Sequence, residues 1–389
     1  MKIQQTNKIE WRDINFLDCL EKEASSNNLK IQGKDFLKKG KYPIIDQGEE
    51  FIAGYTNDKS KVYDEKLPVI IFGDHTRILK FINFPFALGA DGVKILVPKE
   101  NISQKYFYYA LKKLKISSAG YSRHYKFLKE KKILLPYLPP TLENPEGKPD
   151  LETQKQIVAI LEKAEKQKEK SKKASELLDE YLKAIFNEMF LKKDFEKVKL
   201  GDICEINPKK SEIGKEDNNL EVSFVPMADI SEHSIHFKPK EIRRIKEVYK
   251  GYTYFMEGDI LLAKVTPCFE NGKSGICKNL KNRIGFGSSE YHVLRPTKNI
   301  LPELVYYVIS SETFIKLGEK QLTGTGGLRR LPKYFVDNFK IPLPPLPLQQ
   351  KFANIVEKVE KMKEKQKKTK QSSEELFDSL MQKAFRGEL

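Results

Sequence analysis

The chain has 389 residues, more than one ordinary hydrophobic core requires, so its length predicts two or three domains. Its 70 lysines and arginines against 54 aspartates and glutamates give a formal net charge of +16, which favours a polyanionic partner such as nucleic acid. The alternative is a protein whose surface lysines are simply solvated. Four cysteines make no disulfide framework, no apolar run approaches the roughly 18 residues of a membrane helix, and the polar start is unlike a signal peptide. We therefore expect a cytoplasmic protein with no membrane partner.

The first predicted element is a mixed α+β globule over residues 1–149. "YPIIDQG", "LPVIIFGDHT" and "GVKILVP" are short β-branched runs typical of strands, and "KYFYYALKKL" has helical spacing. Two polar loops carry side chains that suit bases and phosphates. The candidates are His75, Thr76 and Arg77 in one loop, and Tyr121, Ser122, Arg123, His124 and Lys126 in the other. The alternative is that these are surface turns whose polar side chains only cap backbone groups.

The second predicted element is a long helix within residues 150–192. Apolar, small or polar residues recur at alternating spacings of three and four: Ile157, Ile160, Ala164, Gln167, Ser171, Ala174, Leu178, Tyr181 and Ile185. Such a seam is typical of a coiled coil, and one helix cannot bury it alone. The segment "TLENPEGKPDLE" before it has no counterpart later in the chain, so the first residue of the helix stays open. The lysine run "KQKEKSKK" could bind DNA, but the solvated face of a coiled coil is the favoured interpretation.

A second α+β globule is predicted over residues 193–346. "VSFVPM", "DILLAKVT" and "YHVLRP" are its strand-like runs, and "PELVYYVISSETFIKL" has helical spacing. Its candidate contacts are Lys264, Thr266, Glu270, Asn271, Lys273, Ser288, Thr323, Thr325, Arg329 and Arg330. The two arginines follow the glycine-rich "LTGTGG", and we expect them to project from a loop that can order on a DNA duplex.

The last predicted element is a second long helix over residues 347–389. Its seam repeats the scheme of the first helix: Phe352, Ile355, Val359, Met362, Gln366, Thr369, Ser373, Leu376 and Leu380. The order globule, helix, globule, helix brings the second helix back along the first. We therefore predict an antiparallel pair of about 35 residues, or roughly 50 Å. The second helix has about four extra residues, an insertion of the stutter type.

The two halves of the chain form an internal repeat. "ILVPKENISQKYFYY" matches "VLRPTKNILPELVYY", so that Tyr108 and Tyr109 correspond to Tyr306 and Tyr307. "KKILLPYLPP" is likewise answered by "NFKIPLPPLP". The predicted fold class is α+β, with two globular domains in tandem repeat, an antiparallel two-helix coiled coil between them, and a pseudo-twofold circular organisation.

A catalytic site is not predicted. The sequence has no phosphate-binding loop with its lysine and hydroxyl pair, no His-Glu-x-x-His, and no methyltransferase Asn-Pro-Pro-Tyr or Asn-Pro-Pro-Phe signature. Cys268 and Cys277 lack the paired CxxC spacing of a zinc site. We expect a binding protein without a metal or cofactor of its own.

Several stretches resemble the specificity subunits of Type I restriction-modification systems. They include "LPVIIFGDHTR", "GDILLAKVTPCFENGKSG", "IPLPPLPLQQKF" and "QKAFRGEL", and the resemblance extends from end to end of the chain. It implies two target recognition domains that each read half of a bipartite DNA target in the major groove, with the coiled coil setting the gap. Since the two domains are unlike, the target should be asymmetric.

The same resemblance implies partners. Two methyltransferase (modification) subunits would dock on this chain, and helicase-nuclease (restriction) subunits would join outside them. Catalysis, S-adenosylmethionine, ATP and Mg²⁺ would belong to those subunits, which together methylate host DNA and defend against phage. Three alternatives stay open: a specificity subunit of a Type IIB-like enzyme, a coiled-coil scaffold that binds only proteins, and a single-chain nuclease with an unrecognised site.

Overall fold

The computed structural model describes residues 9–21, 30–89, 92–116, 122–213, 218–232, 234–325 and 327–389. The chain divides into two compact units. The first unit consists of Met1–Lys172 and Lys368–Leu389, and the second unit is Lys173–Lys367. Each unit therefore holds one globule and a part of both long helices. Across the described residues, no helix combines the length and apolarity needed to cross a membrane.

The first unit contains three small sheets. Its strands are β1 (Glu10–Asn15), β2 (Tyr42–Ile45), β3 (Gly54–Thr56), β4 (Val62–Tyr63), β5 (Val69–Gly73), β6 (Leu79–Ile82), β7 (Phe86–Leu88), β8 (Val93–Leu96), β9 (Lys132–Leu138) and β10 (Lys148–Pro149). The strand orders are β3-β2-β7-β4, β6-β5-β8 and β1-β9-β10. β2 runs parallel to β7, with Ile44 opposite Ala87. β5 is buried along its whole length because it lies between two strands and carries only apolar side chains and a glycine.

Two short helices cover this unit, α1 (Gln104–Lys113) and α2 (Tyr125–Lys129). α1 begins after Ser103, whose hydroxyl accepts a hydrogen bond from the Tyr106 amide at 3.4 Å. Tyr106 and Tyr109 of α1 are buried in the same apolar cluster as Phe377 and Met381 near the C-terminus. The last part of the chain thus completes the core of the first globule.

Among its described residues, the second unit repeats part of this topology, in sheets of two, four and four strands. Its strands are β11 (Lys197–Lys199), β12 (Cys204–Ile206), β13 (Glu221–Val225), β14 (Glu241–Arg244), β15 (Thr253–Met256), β16 (Ile260–Ala263), β17 (Ser274–Ile276), β18 (Ile284–Gly287), β19 (Tyr291–Pro296) and β20 (Lys340–Pro342). Its short helices are α4 (Leu200–Ile203), α5 (Ile245–Val248), α6 (Pro302–Ile309), α7 (Glu312–Glu319) and α8 (Lys333–Asn338). The order β14-β13-β18-β15, with β13 parallel to β18, matches β3-β2-β7-β4. Likewise β16 lies between β17 and β19 as β5 lies between β6 and β8. The internal repeat of the sequence thus corresponds to a repeat of strand order in these sheets.

The long helices are α3 (Leu151–Phe186), which ends in a π-helical turn at Asn187–Leu191, and α9 (Leu346–Ala384). The start of α3, which the sequence left open, is set by Asp150, whose carboxylate accepts from the Glu152 amide at 3.0 Å. In the first unit the beginning of α3 packs with the end of α9, and in the second unit the end of α3 packs with the beginning of α9. Within each unit the helices are antiparallel.

The predicted helix seam is half right. Ile157, Ala164 and Ser171 are buried as expected. The alternate positions are wrong by one residue. The predicted seam residues Ile160, Tyr181, Met362 and Leu376 are 41 to 55% exposed. The residue that follows each of them in the sequence faces inward instead: Leu161, Leu182, Lys363 and Phe377. The seam therefore follows spacings of four then three, rather than three then four.

Two lysines occupy positions of the observed seam. The four-three phase places Lys168 and Lys363 in the seam, and a buried lysine is unfavourable unless it is paired. Lys363 is paired, with its Nζ 2.5 Å from Asp179 and 2.7 Å from Glu360. The ammonium of Lys168 lies 5.5 Å from the ring centroid of Phe377. Adjacent apolar residues such as Ile160 and Leu161 fit either phase, so apolar spacing alone does not distinguish the two.

Candidate nucleic-acid interface

The first candidate loop is a tight turn between β5 and β6. The Arg77 amide donates to the Gly73 carbonyl at 2.7 Å, and Arg77 adopts a left-handed backbone with φ of 64°. The Thr76 hydroxyl donates to the Gln47 carbonyl at 2.6 Å. The Arg77 guanidinium donates to the Ile116 carbonyl at 3.1 Å. Thr76 and Arg77 are exposed and His75 is half-buried, so this turn presents its polar side chains at the edge of the sheet.

The second candidate loop, just before α2, is tied to the first by Asp74. The Tyr125 amide donates to the Asp74 carboxylate at 2.7 Å, and the His124 amide donates to the Asp74 carbonyl at 2.8 Å. This arrangement brings the exposed Arg123 and Lys126 onto the segment next to the turn. Two polar loops far apart in sequence thus form one cluster, to which the half-buried Ser122 also belongs. Tyr121 lies outside the described residues.

His124, a candidate DNA contact, is buried. Its side chain is only 1% exposed, and its Nδ1 lies 3.0 Å from the Asp74 carbonyl oxygen. The imidazole is therefore inside the domain, where it supports the junction of the two loops. The sequence could not show this, because 50 residues separate the two partners.

Gln47 is a member of this cluster that the sequence analysis missed. Its side-chain oxygen accepts from the His75 amide at 3.1 Å. A Cβ at Gly92, where φ is +91°, would lie 2.9 Å from both amide atoms of Gln47, so glycine at this position leaves room for the carboxamide. The signal available in the sequence was the "DQG" turn directly after β2, which was assigned only to the strand. A carboxamide can pair with the edge of adenine.

The candidate arginines of the second unit lie at the fixed base of their loop. The Arg330 amide donates to the Thr323 carbonyl at 2.8 Å, and the Thr323 amide donates back to Arg330 at 3.0 Å. The Leu331 amide donates to the Lys264 carbonyl at 2.7 Å. The backbone of both arginines is therefore anchored to the domain directly after the glycine-rich stretch. That they project from this loop onto a DNA duplex stays a prediction.

Thr266 joins this loop to the segment after β16. Its amide donates to the Arg329 carbonyl at 3.0 Å, and its hydroxyl accepts from the Arg329 amide at 3.0 Å while donating to Gly327 at 2.7 Å. The side chain is 7% exposed. Like His124, Thr266 holds loops together and does not present its polar atom outward.

Both arginines are paired with carboxylates. Arg330 donates from Nε and Nη2 to the two oxygens of Glu290, each at 2.9 Å, and Arg329 donates from Nη2 to Glu270 at 3.0 Å. The hydrogen bond from Arg330 holds the pKa of Glu290 below its usual value. About half of each arginine side chain is exposed, at 47% for Arg329 and 49% for Arg330. These guanidinium groups are positioned and still accessible.

The remaining candidates of the second unit surround the arginines. Asn271 is exposed and donates to Glu232 at 2.9 Å. The Ser288 hydroxyl accepts from the Glu290 amide at 3.2 Å. Lys264, Lys273 and Ser288 are half-buried, whereas Thr323 and Thr325 are exposed. In each unit the cluster joins the loop after the central strand, β5 or β16, to a segment that precedes a short helix, α2 or α8.

The chemistry of both clusters is that of a binding surface. Guanidinium, ammonium, amide and hydroxyl groups are the ones that contact phosphates and base edges. Within the part of the chain that the structure describes, no three His, Cys, Asp or Glu side chains come together as metal ligands would. The side chains of both clusters are therefore of the kinds that can bind a polar or charged ligand.

Comparison with known proteins shows what this chain is similar to. Residues 192–373 match the family model described as the Type I restriction modification DNA specificity domain. The specificity subunit of the Type I restriction enzyme EcoAI from Escherichia coli is 45% identical over 150 residues, which cover 38% of this chain and 25% of that protein. The specificity subunit of EcoR124I/EcoR124II, also from Escherichia coli, is 25% identical over 375 residues, which cover 90% of this chain and 86% of that protein.

A solved structure agrees over the whole length. The crystal structure of the Type I restriction-modification S subunit from M. genitalium has a TM-score of 0.55 at 16% identity and covers 98% of each chain, which shows a shared fold. The predicted α+β fold is confirmed, and so is the resemblance to Type I specificity subunits. The match to EcoAI spans only a quarter of that relative's length.

Proposed function

We propose that this chain is the DNA sequence-recognition subunit of a Type I restriction-modification complex. The observation that carries the proposal is the repeated topology: each unit places a polar loop cluster after the same central strand, on a chain with a net charge of +16. Residues 1–149 and 193–346 would be the two target recognition domains. Residues 150–192 and 347–389 would be the helices that set the gap between the two half-sites.

The proposed DNA contacts are the members of each cluster whose residues are exposed or half-buried. In the first unit they are Gln47, His75, Thr76, Arg77, Ser122, Arg123 and Lys126. In the second unit they are Lys264, Glu270, Asn271, Lys273, Ser288, Thr323, Thr325, Arg329 and Arg330. His124 and Thr266 are assigned to positioning these groups, because both are buried. The loops of the two units differ in sequence, which supports an asymmetric bipartite target.

The proposal includes a set of partners in the cytoplasm. Two modification subunits and the restriction subunits would carry the catalytic residues and bind S-adenosylmethionine, ATP and Mg²⁺, while this chain contributes no catalytic group. Large apolar side chains exposed on the long helices support docking there. Leu177 and Tyr181 on α3 are 52% and 51% exposed, and Met362 on α9 is 55% exposed.

The test is to map methylated sites in DNA from a host that carries this chain with its modification subunit. We expect one asymmetric target of two half-sites separated by a fixed number of base pairs. Arg123→Ala should weaken recognition of one half-site only, because Arg123 lies in the first cluster. A palindromic target would contradict the use of two unlike domains, and an absence of site-specific methylation would favour the scaffold alternative.

A further inference from the structure

Hydrogen bonds hold the backbone of both partners of the Arg330–Glu290 ion pair. The Arg330 backbone is paired with Thr323 in both directions and also bridges to Val265. The Glu290 carbonyl accepts from the Lys264 amide at 2.9 Å, and the Glu290 amide is held by Ser288 at 3.2 Å. The arginine and its carboxylate therefore start from fixed points. Two hydrogen bonds in one plane then fix the orientation of the guanidinium as well.

The contact with Glu290 uses one edge of the Arg330 guanidinium and leaves another edge unused. Glu290 occupies the edge formed by Nε and Nη2. A guanidinium has five N–H donors, so the edge formed by Nη1 and Nη2 still offers two parallel donors. Glu290 leaves the Nη1 donors unused, and the side chain as a whole is 49% exposed, so a ligand at this edge would not have to break the ion pair.

The hydrogen bonding of the pair selects the kind of ligand. Both arginines are paired with a carboxylate, but only Arg330 is held by two hydrogen bonds, which fix the plane of its guanidinium and favour a ligand with two adjacent acceptors. Guanine presents two adjacent uncharged acceptors, O6 and N7, in the major groove, whereas adenine presents a donor beside its N7. Arg329 differs, because a single hydrogen bond from Nη2 to Glu270 does not fix the plane of its guanidinium.

We infer that Arg330, oriented by Glu290, contacts a guanine in the half-site of the second unit, whereas Arg329 contacts the DNA backbone. Glu290 is the positioning residue of this pair, and it was not among the candidates from the sequence. The inference rests on the proposed function and adds to it a base identity and a division of roles between neighbouring arginines.

The first experiment uses the unaltered full chain assembled with its modification subunits. Its binding is measured on duplexes that carry the methylation-mapped target, with each guanine of the second half-site replaced in turn by 7-deazaguanine, which lacks the N7 acceptor. One position should weaken binding by roughly tenfold. At that position Arg330→Ala should bind the normal and the deaza duplex equally, because the contact is already lost.

The second experiment separates orientation from charge. Arg330→Lys keeps the charge but loses the fork, so it should reduce guanine preference as much as Arg330→Ala does. Glu290→Gln should reduce the same preference by several-fold, while Glu312→Gln, which alters the exposed ion pair with Lys316, serves as the matched control. Arg329→Ala should weaken all duplexes alike and lower the salt dependence of binding by about one ion.

The outcomes distinguish this inference from the proposed function. If the unaltered complex shows no preference among duplex sequences, the proposed function itself fails. If the preference exists but no 7-deazaguanine position matters to Arg330, only the guanine contact fails. Tighter binding by Glu290→Gln would mean that Glu290 masks Arg330 instead of orienting it. Thermal unfolding of each variant confirms that a loss of binding is not a loss of folding.

Discussion

Thr266 shows how one hydroxyl group can determine the position of a recognition loop. We predict that Thr266→Val destabilises the protein by about 1–2 kcal/mol, because valine fills the same volume but leaves the Arg329 amide and the Gly327 carbonyl without their partner. Binding to the second half-site should fall several-fold, and binding to the first should stay the same. Chemical denaturation and duplex titration measure the two effects.

The exposed Thr313 provides the control for this change. Thr313→Val should alter stability by less than about 0.5 kcal/mol. Equal losses at both half-sites for Thr266→Val would show that the hydroxyl supports the fold in general and not this loop.

His236 gives a pH dependence with a defined sign. Burial, with Lys278 and Lys363 nearby, lowers the pKa of His236 to about 4. An unfolded histidine has a pKa of about 6.5, so below that value the unfolded chain binds a proton that the folded chain does not. The contribution to stability is fully present above about pH 6.5 and is lost as the pH falls towards 4.

The measurement compares thermal unfolding of the natural protein and His236→Gln between pH 7 and pH 4.5. Carboxylate titrations are common to both proteins and cancel in the difference. The stability advantage of histidine over glutamine should shrink as the pH falls. A constant difference over this range would contradict the lowered pKa.

At individual sites, the sequence predicted types of residue better than their roles. It singled out the arginines at the end of "LTGTGG", and the structure finds both accessible. It could not separate Arg123, which is exposed, from its neighbour His124, which is buried. It also missed Gln47 and Glu290, because their partners are 28 and 40 residues away in sequence. Contacts at such separations depend on the fold of the sheets and leave no local pattern.

The two long helices could also be predicted only in part from the sequence. Their existence and antiparallel pairing follow from periodicity and chain order, but the phase of the seam depends on whether a lysine can be buried. Lys363 has a side chain only 18% exposed. Burial by itself disfavours its charge, yet hydrogen bonds to Asp179 and Glu360 outweigh this and raise the pKa of Lys363. Helix propensity carries no information on such an ion pair within the seam.

We predict that Lys363→Met destabilises the second unit by about 1–2 kcal/mol, even though methionine is apolar. The reason is that Asp179 and Glu360 would face each other without their shared cation. Lys361→Met is the matched control, since Lys361 pairs with Glu357 on an exposed face and the change should have little effect on stability. A stabilised Lys363→Met protein would mean that the seam tolerates the apolar side chain better than the ion pair.

For the molecule as a whole, the proposed role of the helices predicts how the target responds to their length. The boundary between the two units falls after Lys172 in α3 and after Lys367 in α9. Inserting four residues at each point adds about 6 Å of helix. Duplex DNA rises about 3.4 Å per base pair, so the gap between half-sites should lengthen by one or two base pairs.

Methylation mapping of the insertion variant measures this change, and the half-site sequences should stay as they were. Four residues inserted after Glu143, in the exposed segment before α3, are the control and should leave the gap unchanged. An unchanged gap in the helix variant would show that the helices do not set the distance.

The first unit is assembled from two distant pieces of the chain, and this has a consequence for biosynthesis. Phe385 packs on Tyr106 with ring centroids 5.2 Å apart, and Phe377 and Met381 are buried in the same core. A ribosome produces the first globule early but supplies these side chains only after the whole second unit, which is one continuous segment, Lys173–Lys367. The first globule of a nascent chain must therefore wait until the second unit has been made, and a stop within or directly after the second unit would damage the domain that was translated first.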